Sequence, residues 1–244
     1  MYDPLVLSKA VEREVCKGNA RLYYRFRGGR FYGGTAAADV VGCNLRCAFC
    51  WSWKATRGVP KGSRLYSPED VAKRLVEVAK RAGFRAVRVT GGEPTLCFNH
   101  LEGVIERVNE EGLIFILETN GILIGYNKEL AERLSSYNVY VRVSIKAPTA
   151  VTFSKVTGAR PEAFEYQLRA LENLVEAGIE PPRVRAALVL GYGSEREYAE
   201  LVRRLAEIHP ALVDVELEVI VLYPSVEKRL ERLGLLPRVF YRPP

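Results

Sequence analysis

Three of the five cysteines fall within eight residues: Cys43, Cys47 and Cys50 in the stretch GCNLRCAFCWSW, residues 42–53, with the spacing C-x3-C-x2-C. Thiolates bind soft or borderline metals, and a loop leaving a strand can fold three of them around one centre. A closed zinc site needs a fourth ligand, and the remaining Cys and His residues (Cys16, Cys97, His100, His209) do not pair with the triplet in the usual two-plus-two pattern. A disulfide inside the triplet leaves an odd thiol and does not suit a cytosolic chain. What remains is a four-iron, four-sulfur cluster held by three cysteines, with one iron open to a ligand from outside the protein. Some 40 residues further on stands Gly91-Gly92-Glu93-Pro94-Thr95. There the glycines allow close backbone approach to a small molecule, and the carboxylate can answer an ammonium group.

Such residues need rigid elements behind them. β-rich runs at 35–42, 85–90, 113–119, 139–145, 183–190 and 214–222 alternate with helical patterns at 67–83, 100–111, 128–136, 162–178 and 195–208. The first helix has Ser67 as N-cap, Pro68 at its first position and Gly83 as its stop. Ser194 and Glu197 have capping-box spacing at the start of the last. Strands separated by helices predict right-handed βαβ crossovers and a parallel sheet of the α/β class, either open or closing towards a barrel. In both arrangements ligands collect at the carboxyl ends of the strands. The loops 42–53, 91–95, 120–121, 146–148 and 191–193 all fall there, and five loops on one face make a site.

Composition bounds the rest. With 48% hydrophobic and 27% charged residues, the 244-residue chain reads as one globular domain, 1–244, without a membrane segment or secretory signal, and hence as cytoplasmic. The net charge of +7 admits a nucleic-acid or anionic-cofactor partner, although arginines scattered along helices are more often a solvated face. RLYYRFRGGRFY (21–32) interleaves basic and aromatic residues in a stacking-plus-phosphate composition, but a β-hairpin with alternating exposed charge gives the same letters and is the preferred reading. The excess of Arg over Lys, with one Met and a single glutamine, Gln167, leans towards a heat-adapted source.

C-x3-C-x2-C with Phe49 before the last cysteine, followed by Gly91-Gly92-Glu93-Pro94, resembles the radical S-adenosylmethionine (radical SAM) superfamily from about residue 35 to 222. The resemblance implies a partial (β/α)6 TIM-like barrel of parallel strands. Residues 1–34 become an N-terminal extension, and 223–244 a tail beside the open edge. It also implies a [4Fe–4S] cluster on Cys43, Cys47 and Cys50, with S-adenosylmethionine chelating the open iron, reductively cleaved to a 5′-deoxyadenosyl radical. An electron donor such as flavodoxin or ferredoxin is implied with it. Carried over residue by residue, Gly91, Gly92 and Glu93 meet the cofactor's amino group and Phe49 its adenine. Asn120, Ser144 and Lys146 supply strand-end polar groups, and the loops at Tyr192 and Leu222 complete the pocket. Catalytic residues beyond these are not named by the motifs.

Within the superfamily the small size and motif order look most like the glycyl-radical-enzyme activating enzymes, which act on a protein substrate. The 7-carboxy-7-deazaguanine synthases and an RNA-modifying enzyme are the alternatives. A non-enzymatic metal-bearing scaffold for nucleic acid is the alternative from another class. Cys16 and Cys97, too few for a second cluster, are expected as inert buried cysteines, and Trp51 and Trp53 as packing near the cluster rather than a substrate platform.

Overall fold

Which face of each strand meets a helix is decided by its alternation of small apolar and polar residues. In the computed structural model, which describes residues 1–243, the chain opens with α1 (Pro4–Val15), β1 (Cys16–Lys17) and β2 (Ala20–Gly29). It then turns back into β3 (Thr35–Val40). After the cysteine loop come α2 (Trp53–Arg57), β4 (Arg64–Tyr66) and α3 (Pro68–Ala82), then β5 (Ala86–Thr90), α4 (Phe98–Glu110) and β6 (Ile114–Thr119). Next are α5 (Ile122–Tyr126), α6 (Glu129–Ser135), β7 (Val139–Ile145), α7 (Ala150–Thr157), α8 (Phe164–Glu176) and β8 (Val184–Val189). The chain finishes with α9 (Glu195–Ile208), β9 (Glu216–Glu218), β10 (Ile220–Val221), α10 (Pro224–Leu233) and β11 (Phe240–Tyr241).

β3, β5, β6, β7, β8 and β9 lie side by side in that order, all parallel, which is the partial (β/α)6 arrangement expected. Ala36, Ala38, Val87, Val89, Phe115, Leu117, Val141 and Val143 face outward, buried under residues of α3, α4 and α8 such as Leu75, Leu101 and Leu171. The alternate residues, among them Asp39, Arg88, Glu118, Arg142 and Ser144, share the inner face, as the registers Asp39 opposite Thr90 and Glu118 opposite Arg142 require. Ser67 caps α3 by accepting from the Asp70 amide, Gly83 ends it in the left-handed conformation, and the Ser194–Glu197 capping box opens α9.

Two terminal expectations change. Residues 1–34 are woven into the sheet rather than appended to it, because β2 pairs antiparallel with β3 and also carries β1 and β4. The run 214–222 breaks at Val219: β9 stays on β8, while β10 pairs with β11 of the tail. The tail covers more than an edge, since Val226 and Leu230 of α10 bury against Ala48 of the cysteine loop, Val189 and Leu222. Helices α1, α2, α5, α7 and α10 arise where the sequence patterns gave none.

Cys16 and Cys97 are not separate inert thiols as expected; they form a disulfide, with Cα atoms 6.0 Å apart across 81 residues. The pairing joins the end of α1 to the turn Pro94–Cys97, and the spacing of the two cysteines could not reveal it because the contact is tertiary. Cys43, Cys47 and Cys50 are free. One buried titratable group belongs to the packing of β2 on α4. His100, 2% exposed, lies between the Asn19 carbonyl at Nδ1 (2.8 Å) and the Tyr23 hydroxyl at Nε2 (3.0 Å), and burial lowers its pKa from 6.5 to about 4.

Two outcomes follow for the fold. Alkylation of metal-free, denatured, unreduced protein should modify three thiols, with Cys16 and Cys97 recovered as one cross-linked peptide; five modified thiols would show the pair to be reduced. Because His100 stays neutral in the folded chain while the unfolded chain protonates near pH 6.5, stability should fall as pH drops from 6.5 to 4 and level off below that for this group, by at most about 3 kcal/mol. Denaturant melts at pH 7 and pH 4.5 should show a smaller difference in His100→Gln than in the parent, and an equal difference would remove His100 as a cause.

Candidate active site

The cysteine loop leaves the end of β3 through Gly42, whose φ of 85° brings it into the left-handed region that favours glycine. A Cβ there would lie 2.6 Å from Val11 of α1. Its carbonyl accepts the Glu93 amide at 2.8 Å, and a Cβ on Gly92 would lie 2.1 Å from that same oxygen. Gly92 of GGEP is therefore required by contact with the start of the cysteine loop itself.

Glu93 is 1% exposed. One carboxylate oxygen accepts from the Thr95 amide (3.1 Å) and from the hydroxyls of Thr95 and Thr119 (2.7 Å each), and the other accepts from the Asn120 amide at 2.8 Å. These are four neutral donors; among the described residues no cation touches the carboxylate itself, and the buried guanidinium of Arg21 binds the main-chain carbonyl of the same residue instead. The Asn120 side-chain amide donates to Asn44 Oδ1 at 2.7 Å and lies 3.7 Å from the Cys43 sulfur. Asn120 thus ties the carboxylate to the first cysteine.

Burial is the main cause that pushes the Cys43 and Cys47 thiols up to about 12 and raises that of Cys50. As free groups they are thiols, and ligation would deprotonate them. Among the described residues no three Cys, His, Asp or Glu side chains are grouped around a single ion position. A cubane asks for less convergence, because each thiolate binds a different iron. The close-packed GGEP cradle and a Glu93 carboxylate contacted only by neutral donors fit a small cationic group beside such a cluster.

The remaining expected residues fall into two groups. The rings of Phe49 and Tyr192 lie 5.8 Å apart, tilted by 32°, and both pack on the small cluster that contains buried Leu222. Ser144 and Lys146 meet on the inner face: Lys146 donates to the Ser144 hydroxyl, which donates to Glu218. Burial would raise the Glu218 pKa, but Lys146, Arg142 and the Ser144 hydrogen bond outweigh it and hold it below the usual value. Gly91, at φ 94°, packs against Asp39 and the Tyr24 hydroxyl. The two tryptophans separate. Trp53 lies between the guanidiniums of Arg57 and Arg229, 3.2 and 4.0 Å from its ring centre, whereas Trp51 is 51% exposed.

Sequence reasoning missed the braces. Arg21, 1% exposed, donates to the carbonyls of Glu93 (2.6 Å) and Pro94 and lies 3.5 Å from that of Val41. Arg229 donates to the carbonyls of Ala48 and Cys50, and Arg46 to those of Cys43 and Thr56. Gln167, fully buried on α8, donates to the Asn120 and Ser144 carbonyls at 2.7 and 2.8 Å and accepts the Lys146 amide. Its being the single glutamine of the chain was the only signal.

A model of the Radical SAM superfamily matches residues 39–206, which includes both motifs. GTP 3′,8-cyclase of Desulforamulus reducens is 30% identical over 169 residues, 68% of this chain and 49% of that protein. A probable GTP 3′,8-cyclase of Thermococcus kodakarensis is 30% identical over 177 residues, 72% and 54%. The chain spans about half the length of these curated relatives. Among solved structures, TYW1 with a lysine-pyruvate adduct bound superposes with a TM-score of 0.52 at 20% identity, over 93% of this chain and 79% of that one. Native anSMEcpe with bound AdoMet gives 0.54 at 21%, over 82% and 61%, and at these identities the likeness is one of fold. The motif-bearing loops, the strand order and the extent of the family match agree, and the chain is an enzyme of the radical SAM superfamily.

Proposed function

We propose that Cys43, Cys47 and Cys50 hold a [4Fe–4S] cluster and that Glu93 and the Gly91–Gly92 backbone receive the amino group of S-adenosylmethionine on its open iron. When bound and reduced, that pair supplies a 5′-deoxyadenosyl radical able to take hydrogen from substrate. The observation that carries the reading is the Glu93 carboxylate: buried, fixed by four neutral donors, and linked through Asn120 to Cys43. Phe49, Tyr192 and Leu222 form an apolar wall for a flat ring and exclude water, and Ser144 and Lys146 present polar groups on the inner face. A small donor of the flavodoxin or ferredoxin kind would supply the electron.

For the substrate, a small anionic molecule is better supported than the protein glycine first expected from the sequence. On the inner face Arg25 and Arg27 share the single carboxylate of Asp39, which leaves one cation in excess and suits an anion better than an apolar glycine-bearing loop. The relatives named GTP 3′,8-cyclases point the same way.

Anaerobic reconstitution should load about four irons per chain, and dithionite with S-adenosylmethionine should release 5′-deoxyadenosine in amounts lost in Cys47→Ala. Glu93→Ala should keep the iron and weaken S-adenosylmethionine binding by about tenfold or more, as expected for removal of a charge-assisted contact. Zinc in place of iron, with no nucleoside formed, would favour the scaffold alternative.

A further inference from the structure

We infer that the inner face beneath the Gly91 turn carries a subsite for a phosphate group joined to a flat ring, built by Arg25, Arg27 and Trp51. The inference rests on the radical-enzyme reading and names the class of substrate that the site takes.

The register of β2 on β3 sets Arg25 opposite Asp39 and Arg27 opposite Ala37, so both arginines reach the face on which Asp39 sits. Asp39 is wholly buried and accepts from Nε of Arg25 and from Nε and Nη2 of Arg27, the last two at 3.1 Å. Arg27 alone already makes the two-pronged contact that satisfies a carboxylate. Arg25 adds a second positive charge, leaving this corner with one cation in excess. Both Nη nitrogens of Arg25 and Nη1 of Arg27 have no protein partner among the described residues, and the two side chains are 45% and 25% exposed.

Elsewhere on the same face the charges close on themselves: Arg88 has Glu118, and Arg142 has both Glu216 and Glu218. The surplus is local to β2. Arg21 and Arg74 do not share this role, since Arg21 is consumed by buried carbonyls and Arg74 stacks on Phe26 on the opposite face of β2, while Arg30 lies beyond the end of the strand.

A flat apolar surface stands next to the free donors. Trp51, directly after Cys50, is 51% exposed, and the Arg25 guanidinium lies 5.7 Å from its ring centre. Guanidinium donors beside an exposed indole are the chemistry that holds a phosphate and a stacked ring together. The position is held between the two cofactor motifs: the Tyr24 hydroxyl shares a hydrogen bond with Ser52 of the cysteine loop at 3.1 Å and would meet a Cβ on Gly91 at the same distance.

The test is anaerobic calorimetry on the cluster-loaded full chain. GTP and ATP serve as probes beside tripolyphosphate, the free nucleosides and a single-stranded RNA decamer. The expected result is that nucleotides bind more tightly than tripolyphosphate and that nucleosides bind weakest. Arg25→Gln and Arg27→Gln should each lose about tenfold or more in nucleotide affinity, Arg25→Lys should recover part of it, and Trp51→Ala should remove the advantage of nucleotide over tripolyphosphate. Arg74→Gln, on the other face, should leave affinity unchanged. No heat at millimolar nucleotide, or equal affinity in the arginine variants and the parent, would overturn the subsite; tighter binding of RNA than of mononucleotide would overturn its assignment to a small molecule. Iron content and S-adenosylmethionine affinity of the same preparations report on the radical-enzyme reading separately, so either conclusion can fail alone.

Discussion

The contact on which the site depends is made by main chain alone: the Glu93 amide donates to the Gly42 carbonyl, with Gly92 pressed so close that no side chain fits between. This fixes the distance between the loop that carries the thiols and the turn that carries the carboxylate. Neither loop can adopt its own best conformation without regard to the other. Two consecutive glycines on one side and a glycine at positive φ on the other are what this approach demands. Everything outward from it is reinforcement. Arg21 ties the carbonyls on both sides of Pro94 to β2, and Asn120 closes the far side onto Cys43.

The inner face would be unstable as a set of separate charges. Burial of an unpaired ion is costly, and the sheet avoids it by placing opposite charges on neighbouring strands in register, Glu118 beside Arg142 and Arg142 within reach of Glu216 and Glu218. The polar interior is thus a network fixed by strand register, and a one-residue slip would turn its charges towards the helices. Gln167 extends the same logic outward, since its amide satisfies the carbonyls left free where β6 and β7 end.

Much of this was legible in the sequence where the signal is local. Five of the six strand positions and the first half of the sixth, the caps of α3 and α9, and the grouping of five loops at one end followed from periodicity, capping residues and the βαβ rule. What was not legible is long-range. The role of Arg21 depends on carbonyls some 70 residues away, which no spacing announces. Cys16 and Cys97 looked like isolated thiols because their partnership exists only once α1 lies against the GGEP turn. The basic-aromatic run 21–32 was read as an exposed hairpin. Its strand does turn back on the next, but its four arginines divide among a buried brace, Arg21, the inner-face pair Arg25 and Arg27, and an exposed Arg30.

The Cys16–Cys97 link encloses Cys43, Cys47, Cys50 and Glu93 within a single covalent ring. A cross-link closing a ring of this size removes about 4 kcal/mol of conformational entropy from the unfolded chain in the simplest polymer treatment. Every residue proposed to hold the cluster therefore remains on the same tethered segment before any iron arrives. With the link closed, a chain without its metal would search from a restricted ensemble in which the cysteine loop and the Glu93 turn, both inside one ring, cannot drift far from each other.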